Sequence, residues 1–498
     1  MAQSVPDRQT TDGQIIVYGR ALEQIGEASS GSEGVVGYAD FEDRPISRVG
    51  ELAENVPGLV ATQHSGTGKA NQYFLRGFNL DHGTDFAGFV DGAPINMRTH
   101  GHGQGYFDLN FLIPELIERI EFTKGPYHAE LGDFSSAGSA SFITKTRLDQ
   151  PIAELTAGSF GYYRALVAGS GQGAGLDVLA GLEATSSNGP WVLDEDLEKF
   201  NGLLKVSAAD WSLSLSGYRS KWTSTDQVPL RSINNGLIDR RGFIDPHLGG
   251  RASRVSINFN GKSGDTSLSA FAIGSRLRLT SNFTYFLEDP VNGDEFRQVD
   301  RRGVFGGSIK HQGAAQIGAL PVTWRFGADT RLDRIGLVGL YRSTDGAIRV
   351  PIREDRVREL GGGLYGEIEG ALTSTLRLIA GLRGDAISYR VRSDLAANSG
   401  SGSDAILSPK LALAWKASPS LEVYADYGQG YHSNDVRGAT TTVDPASGGP
   451  ADRVPIFARS RGYEVGARFE RAGITASLVA FALDLDSELV FVGDAGTT

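Results

Sequence analysis

From about residue 150 onward, apolar and polar side chains alternate with a period of two. Leu213, Leu215 and Gly217 interleave with Ser212, Ser214 and Ser216. Leu376, Leu378, Ala380 and Leu382 interleave with Arg377, Gly381 and Arg383, and Leu421, Val423, Ala425 and Tyr427 with Glu422, Tyr424 and Asp426. Neighbouring side chains of a strand point to opposite faces, so each run predicts a strand with one apolar and one polar side. A half-buried strand of a soluble sandwich and a strand lying between lipid and a polar lumen both give this pattern.

The connections separate the two cases. Short links are predicted near Gly261–Asp265, Ala371–Thr375, Ala417–Ser420 and Glu470–Gly473. Long polar ones are predicted over Ser186–Lys199, Thr223–Gly250, Ser281–Arg302, Tyr341–Arg358, Arg392–Ser403 and His432–Arg459. Short turns at one end and long loops at the other describe an outer-membrane β-barrel, with the long loops outside. Roughly fifteen strands fit the pattern.

Composition agrees. A chain of 498 residues is expected to divide into more than one unit, and no stretch approaches the ~18 consecutive apolar residues of a spanning helix. The 66 glycines, about twice the usual ~7%, suit many short turns. With no cysteine, disulfides and thiolate metal sites are excluded. A net charge of -11 argues against nucleic acid as a partner. Met1-Ala2-Gln3-Ser4 leads straight into polar sequence, so no signal peptide is visible.

The N-terminal third has another texture. In Leu116–Lys145 an amphipathic run (Leu116, Ile117 and Ile120 among Glu115, Glu118, Arg119 and Glu121) breaks at Gly125-Pro126. It then crosses a small-residue cluster (Gly132, Gly138, Ser139) and resumes alternation over Ala140–Thr144. This predicts strand, tight turn, small-residue loop and strand. Upstream, Ser47 is expected to cap a short helix at Val49–Ala53, with Pro57-Gly58 ending it. Asp91-Gly92 is expected to turn a hairpin.

Read as motifs, IERIEFTKGP with the ITK strand after it, Gln72–Phe78 (QYFLRGF) and Asp85–Pro94 (DFAGFVDGAP) resemble the plug domain of TonB-dependent outer-membrane receptors. The resemblance implies an α+β plug followed by an antiparallel transmembrane β-barrel, twenty-two-stranded in the family. It divides the chain into a flexible tail over 1–35, a plug over 36–147 and a barrel over 148–498. The chain stops at Asp494–Thr498, which reads as the start of a loop, so the barrel is expected to be incomplete. Gln14, Ile15, Ile16, Val17 and Tyr18, with Gly19, form a β-prone island resembling the TonB box, which suits strand addition to another protein.

The resemblance implies TonB-dependent import of a scarce extracellular ligand across the Gram-negative outer membrane. The partners implied are TonB with ExbB and ExbD, outer-membrane lipid and lipopolysaccharide, and the small-molecule ligand. A passive porin and a non-transport β-rich surface binding protein are the alternatives. No catalytic residue and no cofactor are expected, and a metal ion or metal chelate would enter only as substrate.

The chemistry concentrates in Asp81–Asp85 and Met97–Tyr106, and five of eight histidines lie in the plug. His82, Asp85, Met97, Arg98, His100, His102, Gln104 and Tyr106 are the candidate substrate contacts. His82, His100 and His102 are the candidate metal ligands, because His-x-His on a glycine-rich loop can bring two imidazoles to one ion. The same histidines also suit direct contact with an organic substrate or hydrogen bonds from plug to barrel. His-x-His opens some metallohydrolase sites, but the later ligands are not evident.

A second candidate is electrostatic. Arg76 and Arg119 lie in predicted plug strands, where a buried guanidinium needs an acidic partner. The resemblance pairs them with two barrel positions, Glu464 and Gln429, the second a departure from the family's glutamate. Among aromatics of the long loops, Trp191, Trp222, Phe283, Tyr285 and Tyr341 suit substrate contact or, for most, a membrane girdle.

Overall fold

In the computed structural model, which describes residues 24–63, 66–318 and 320–487, the period-two text becomes one antiparallel meander. Eight strands precede it: β1 (Glu33–Gly37), β2 (Leu59–Thr62), β3 (Gln72–Leu75), β4 (Phe78–Asn79), β5 (Phe86–Val90), β6 (Ala93–Pro94), β7 (Ile117–Lys124) and β8 (Gly138–Thr144). The meander runs through β9 (Ile152–Ala157), β10 (Tyr163–Gly173), β11 (Leu176–Ser187), β12 (Leu197–Ser207), β13 (Trp211–Thr223), β14 (Gly249–Ser263), β15 (Thr266–Ser281) and β16 (Phe296–Ile317). It continues through β17 (Leu320–Thr344), β18 (Ala347–Ala371), β19 (Leu376–Ser393), β20 (Gly400–Ser418), β21 (Leu421–Ser433), β22 (Phe457–Arg471) and β23 (Ile474–Leu485). Each of these fifteen strands pairs with the next, and among the described residues β9 and β23 do not pair with each other.

Burial decides what alternation alone left open. Along β20, Leu407, Leu411 and Trp415 are 60%, 47% and 52% exposed, whereas Ser408, Lys410 and Ala412 are at most 4% exposed. On β14, Val255 and Ile257 face out while Arg254, Ser256 and Asn258 are buried. A soluble sandwich would place its apolar face inward. Here it points outward and the polar face inward, as a barrel in lipid requires.

The connections after β10, β12, β14, β18, β20 and β22 are short and fall at one end, while the longest, 224–248, 282–295 and 434–456, fall at the other. One expected loop is absent. Tyr341–Arg358 is not a loop: β17 and β18 run on beyond their neighbours and meet at Asp345-Gly346, a two-residue turn with φ of +50° and +71°. Its charged residues had suggested a loop, but these strands project past the apolar band, where both faces can be polar. The connection expected over Arg392–Ser403 likewise shrinks to 394–399.

The N-terminal unit is built on a five-stranded sheet, order β1-β7-β8-β5-β6, in which only the β5–β8 pair is parallel, beside a small β2-β3-β4 sheet. The predicted turn at Asp91-Gly92 joins β5 to β6, both residues with positive φ. β1 starts at Glu33, inside the span assigned to the tail, and pairs with β7 from Glu33↔Thr123 to Gly37↔Arg119. The expected helix is a 3-10 helix over Val49–Asn55 with Arg48, not Ser47, at its N-cap. Ser47 and Arg48 instead donate to the Glu51 carboxylate. The core of this unit (Tyr73, Phe86, Phe107, Ile120, Phe142) is continuous with Tyr218, Trp222, Ile273 and Val304 of the meander, so the unit sits inside the barrel wall.

The Gly125-Pro126 break has a tertiary role. On β21 and β22, Gly428, Gly430 and Gly462 form a notch that receives Pro126 and Tyr127. A Cβ on Gly428 would lie 2.1 Å from the Pro126 carbonyl oxygen, and one on Gly462 2.6 Å from Pro126 Cδ. Lys410 Nζ donates to that same carbonyl at 2.7 Å.

Candidate functional site

The segments 81–85 and 97–106 fold together at the end of the plug that faces the long loops. Met97 and Tyr106 bridge the base of the loop. Asn96 fills its centre, its amide nitrogen donating to the carbonyls of Gly83, Phe86 and Gly105 at 2.9–3.1 Å. Asp81, Asp85 and Thr99 have φ of +47°, +66° and +46°. Such backbone is costly for a β-branched residue and persists only where its surroundings hold it. Thr99 is held from every side. Its amide donates to Gln104 Oε1 at 2.8 Å, its carbonyl accepts from Arg302 at 2.8 Å, and its hydroxyl accepts the Val436 amide at 3.1 Å.

All eight predicted contact residues are buried. The sequence placed them at an accessible apex; the structure places them beneath the 434–456 loop, which tucks Val436, Ala439 and Ile456 into the lumen against Ile335, Val338, Ile387 and Val391. Met97 belongs to the plug core, and Tyr106 accepts the Ala70 amide at 2.9 Å. Asp85 accepts from His432 Nδ1 at 2.9 Å, and Gln104 donates to the Ser433 carbonyl. Arg98 Nε donates to Asp133 at 2.6 Å, and the same carboxylate accepts both the amide and the hydroxyl of Ser433 at 2.7 Å.

The three histidines are brought together, though not as a ligand set. The His82 and His102 rings lie 4.5 Å apart, and His100 stacks on Tyr106 at 4.1 Å. His82 Nδ1 donates to the Asn71 carbonyl at 3.0 Å, and His102 Nδ1 lies 2.8 Å from Gln298 Oε1. His100 Nδ1 accepts the His102 amide at 3.2 Å. Among the described residues, the only three potential ligands with donor atoms within 4.8 Å of one another lie elsewhere, so the expected His82/His100/His102 site is not preformed. Of these hydrogen bonds, the one from His102 to Gln298 joins plug loop to barrel wall, and the other two stay within the plug.

Burial sets the charge of these rings. It pushes His82 down to about 3, helped by the Lys69 ammonium, and His100 down to about 3 in spite of Asp300. Both are neutral near pH 7. Burial also lowers Lys69 to about 8, and its Nζ makes no hydrogen bond.

The lumen wall supplies the remaining charges. Arg302 meets Asp300 at 2.5 Å and Asp333 at 3.7 Å, and Arg331 meets Asp333 at 2.7 Å. From the 434–456 loop, Arg437 pairs with Asp435 at 2.5 Å and approaches Asp355 at 4.0 Å. Buried polar atoms without a hydrogen bond collect here: Arg98 Nη1, His432 Nε2, Asp355 Oδ1 and both Glu359 oxygens. Sequence reasoning missed Lys69, Asp133, Asp300, Arg302, Asp333, Glu359, His432 and Arg437. The signal for the strand residues among them was a charge on the polar side of an alternating run.

Of the electrostatic pair, Arg76 meets Glu464 at 3.1 Å, with Ser32 bridging the two side chains. The pairing expected for Arg119 is not the one observed. Its Nε donates to Glu121 on its own strand at 2.8 Å, while Gln429 is engaged by Tyr427 and Arg459. Other contacts fasten the plug: Lys205 reaches the Thr144 carbonyl at 2.9 Å and Asp91 at 3.4 Å. Trp222 is buried against Gly66 and Gly68 rather than placed in a girdle, and Tyr341 donates to Glu354 at 2.7 Å. Between plug and wall remains a cavity of about 1040 Å³, lined by Phe89, Arg119 and Glu121 on one side and Asp210, Arg331 and Arg383 on the other. The segment Gln14–Tyr18 and His64 lie outside the described residues.

Comparison with known proteins accords with this geometry. The family model "TonB-dependent Receptor Plug Domain" matches residues 27–139, and "TonB dependent receptor-like, beta-barrel" matches residues 184–498. Among solved structures, the unliganded ferric citrate transporter FecA superposes with a TM-score of 0.72 at 15% identity, over 95% of this chain and 73% of that one. The ferric yersiniabactin uptake receptor FyuA from Yersinia pestis gives 0.67 at 16% identity, over 91% and 72% of the two chains. The copper transporter OprC gives 0.66 at 16% identity, over 94% and 73%. At such identities the likeness establishes the fold, while the barrel model alone spans more than half of the sequence. The chain belongs to the TonB-dependent receptor family.

Proposed function

We propose that this receptor resides in the Gram-negative outer membrane and actively imports a scarce extracellular ligand, a siderophore, metal complex or other small organic compound. The ligand is received between the long loops and the plug apex. TonB, energised through ExbB and ExbD, then draws on Gln14–Tyr18 and moves the plug.

One observation carries the reading: the lumen is occupied by a plug fastened to the wall through buried contacts, Arg76–Glu464, Lys205–Thr144 and Pro126 in its glycine notch. A passive pore has no use for such a stopper, and opening it requires work from outside. The burial of the apex under the 434–456 loop further implies that this loop lifts or reorders before substrate reaches Arg98 and His100. The 1040 Å³ cavity is the place where a displaced plug would leave a path. The outward Leu407, Leu411 and Trp415 face lipid and lipopolysaccharide.

Ferric citrate and a copper salt are the first cargoes to try, since receptors of the same fold carry them. The test is uptake of radiolabelled iron citrate and copper by cells expressing the chain, with and without TonB, and with residues 14–18 deleted. Uptake that requires both TonB and the segment supports import. Uptake indifferent to both would make the protein a passive pore.

A further inference from the structure

Outside the apex, a second cluster gathers metal-binding side chains. The 224–248 and 282–295 loops and the β17–β18 turn converge at the long-loop end of the barrel. There Asp245, His247 and Glu295 present an imidazole nitrogen and two carboxylate oxygens, all within 4.8 Å of one another. His247 Nδ1 already lies 3.5 Å from Asp245 Oδ1 and 3.7 Å from Asp345 Oδ1. In a tetrahedral site with ~2.0–2.2 Å bonds, ligand atoms sit roughly 3.4 Å apart, so a small side-chain rotation closes the set.

Two features distinguish this group from an ordinary acidic surface. First, Glu295 is 3% exposed. Among the described residues no lysine or arginine forms an ion pair with Asp245, Glu295 or Asp345. The guanidinium of Arg297 donates to Thr280 Oγ1 at 3.0 Å and to the Gly346 carbonyl, and its charge also acts on Glu295. The carboxylates thus converge on His247 without an ion pair to lysine or arginine. Second, the fully buried Ser343 hydroxyl adjoins the Glu295 carboxylate but makes no hydrogen bond of normal geometry. An ordered group beside Glu295 would satisfy it.

We propose that Asp245, His247 and Glu295 bind a divalent transition-metal ion of the zinc class, with water completing the shell and Asp345 in reach as a further ligand. One imidazole with two carboxylates suits zinc better than calcium, which takes oxygen ligands in larger number. The ion ties two long loops to the β17–β18 turn, independently of what the receptor transports.

The test is calorimetric titration of ZnCl₂, and separately CaCl₂, into the detergent-solubilised full chain at pH 7.5. The variants are His247→Gln, Asp245→Asn, Glu295→Gln and, as a control away from the cluster, His100→Ala/His102→Ala. Heat-modifiable migration in gels verifies that each barrel is folded. One micromolar zinc site, weakened at least about tenfold in each loop variant and unchanged in the control, is expected. No zinc heat from folded wild type would overturn the proposal. So would binding that survives His247→Gln, is lost in the His100/His102 variant, or is matched by calcium.

Discussion

Arg76 on the plug and Glu464 on the barrel wall, 388 residues apart in sequence, meet at 3.1 Å with Glu464 fully shielded from solvent. Arg76 also stacks 4.1 Å over the Phe481 ring, so the pair is placed by packing as well as by charge. Because both partners are largely desolvated, breaking the pair is expected to weigh more than the pair itself contributes. Arg76→Ala leaves Glu464 buried and unpaired and should cost about 3–5 kcal/mol of plug stability. A double Arg76→Met/Glu464→Met variant should recover most of it. Urea unfolding of the solubilised receptor, read alongside proteolysis of the plug, measures this. A single variant as stable as wild type would show that the contact does not hold the plug.

The glycine notch gives a steric counterpart. At Gly428 a methyl group would meet backbone, the Pro126 carbonyl at 2.1 Å, and not the yielding end of a side chain. Gly428→Ala should therefore push the Gly125-Pro126 turn off the wall and destabilise docking by about 1–3 kcal/mol. The strand itself should remain, because extended backbone accepts alanine. Gly217, whose added Cβ meets nothing within 4 Å, is the control. Plug protease resistance should fall in the first variant and not in the second.

Acidification should loosen the apex. His82 and His100 are pushed down to about 3 when folded, against 6.5 for the free side chain. Below pH 6.5 the unfolded chain therefore binds protons that the folded one does not. Their contribution is complete above pH 6.5 and is lost as pH falls toward 3, by roughly 1.4 kcal/mol per pH unit for each ring. His128 behaves oppositely. Burial would lower it, but the Glu33 carboxylate at 2.7 Å outweighs this and raises it to about 9. Its contribution is complete below pH 6.5 and fades as pH rises through 9. Melting temperatures measured between pH 5 and 9.5 should fall at both ends. His100→Asn should flatten the acid limb and His128→Asn the alkaline one. Unchanged limbs would mean that other groups set the profile.

The alternation of Leu213–Gly217 and Leu421–Tyr427, the Asp91-Gly92 turn and the Gly125-Pro126 break were legible because each depends on neighbours in sequence. The Tyr341–Arg358 segment was misread for the same reason: its charges suited a loop, and nothing local signals that β17 and β18 extend beyond the others. The barrel partner expected for Arg119 was not found, for a different reason. A position in a motif carries no information about which way a guanidinium turns, and Glu121 on the same strand was nearer.

The sequence by itself determined the two-unit plan, the barrel class, and the plug strands with their turns. The strands, the turns and the barrel pattern follow from side-chain period and turn chemistry, which act over a few residues, and the two-unit plan from motifs that resemble the family's plug. Only the tertiary structure decided that His82, His100 and His102 lie buried under the 434–456 loop, that Pro126 needs Gly428, and that Asp245, His247 and Glu295 converge. Burial and charge pairing arise where strands far apart in the chain close around the plug. No local pattern records which polar residues the closing wall will cover.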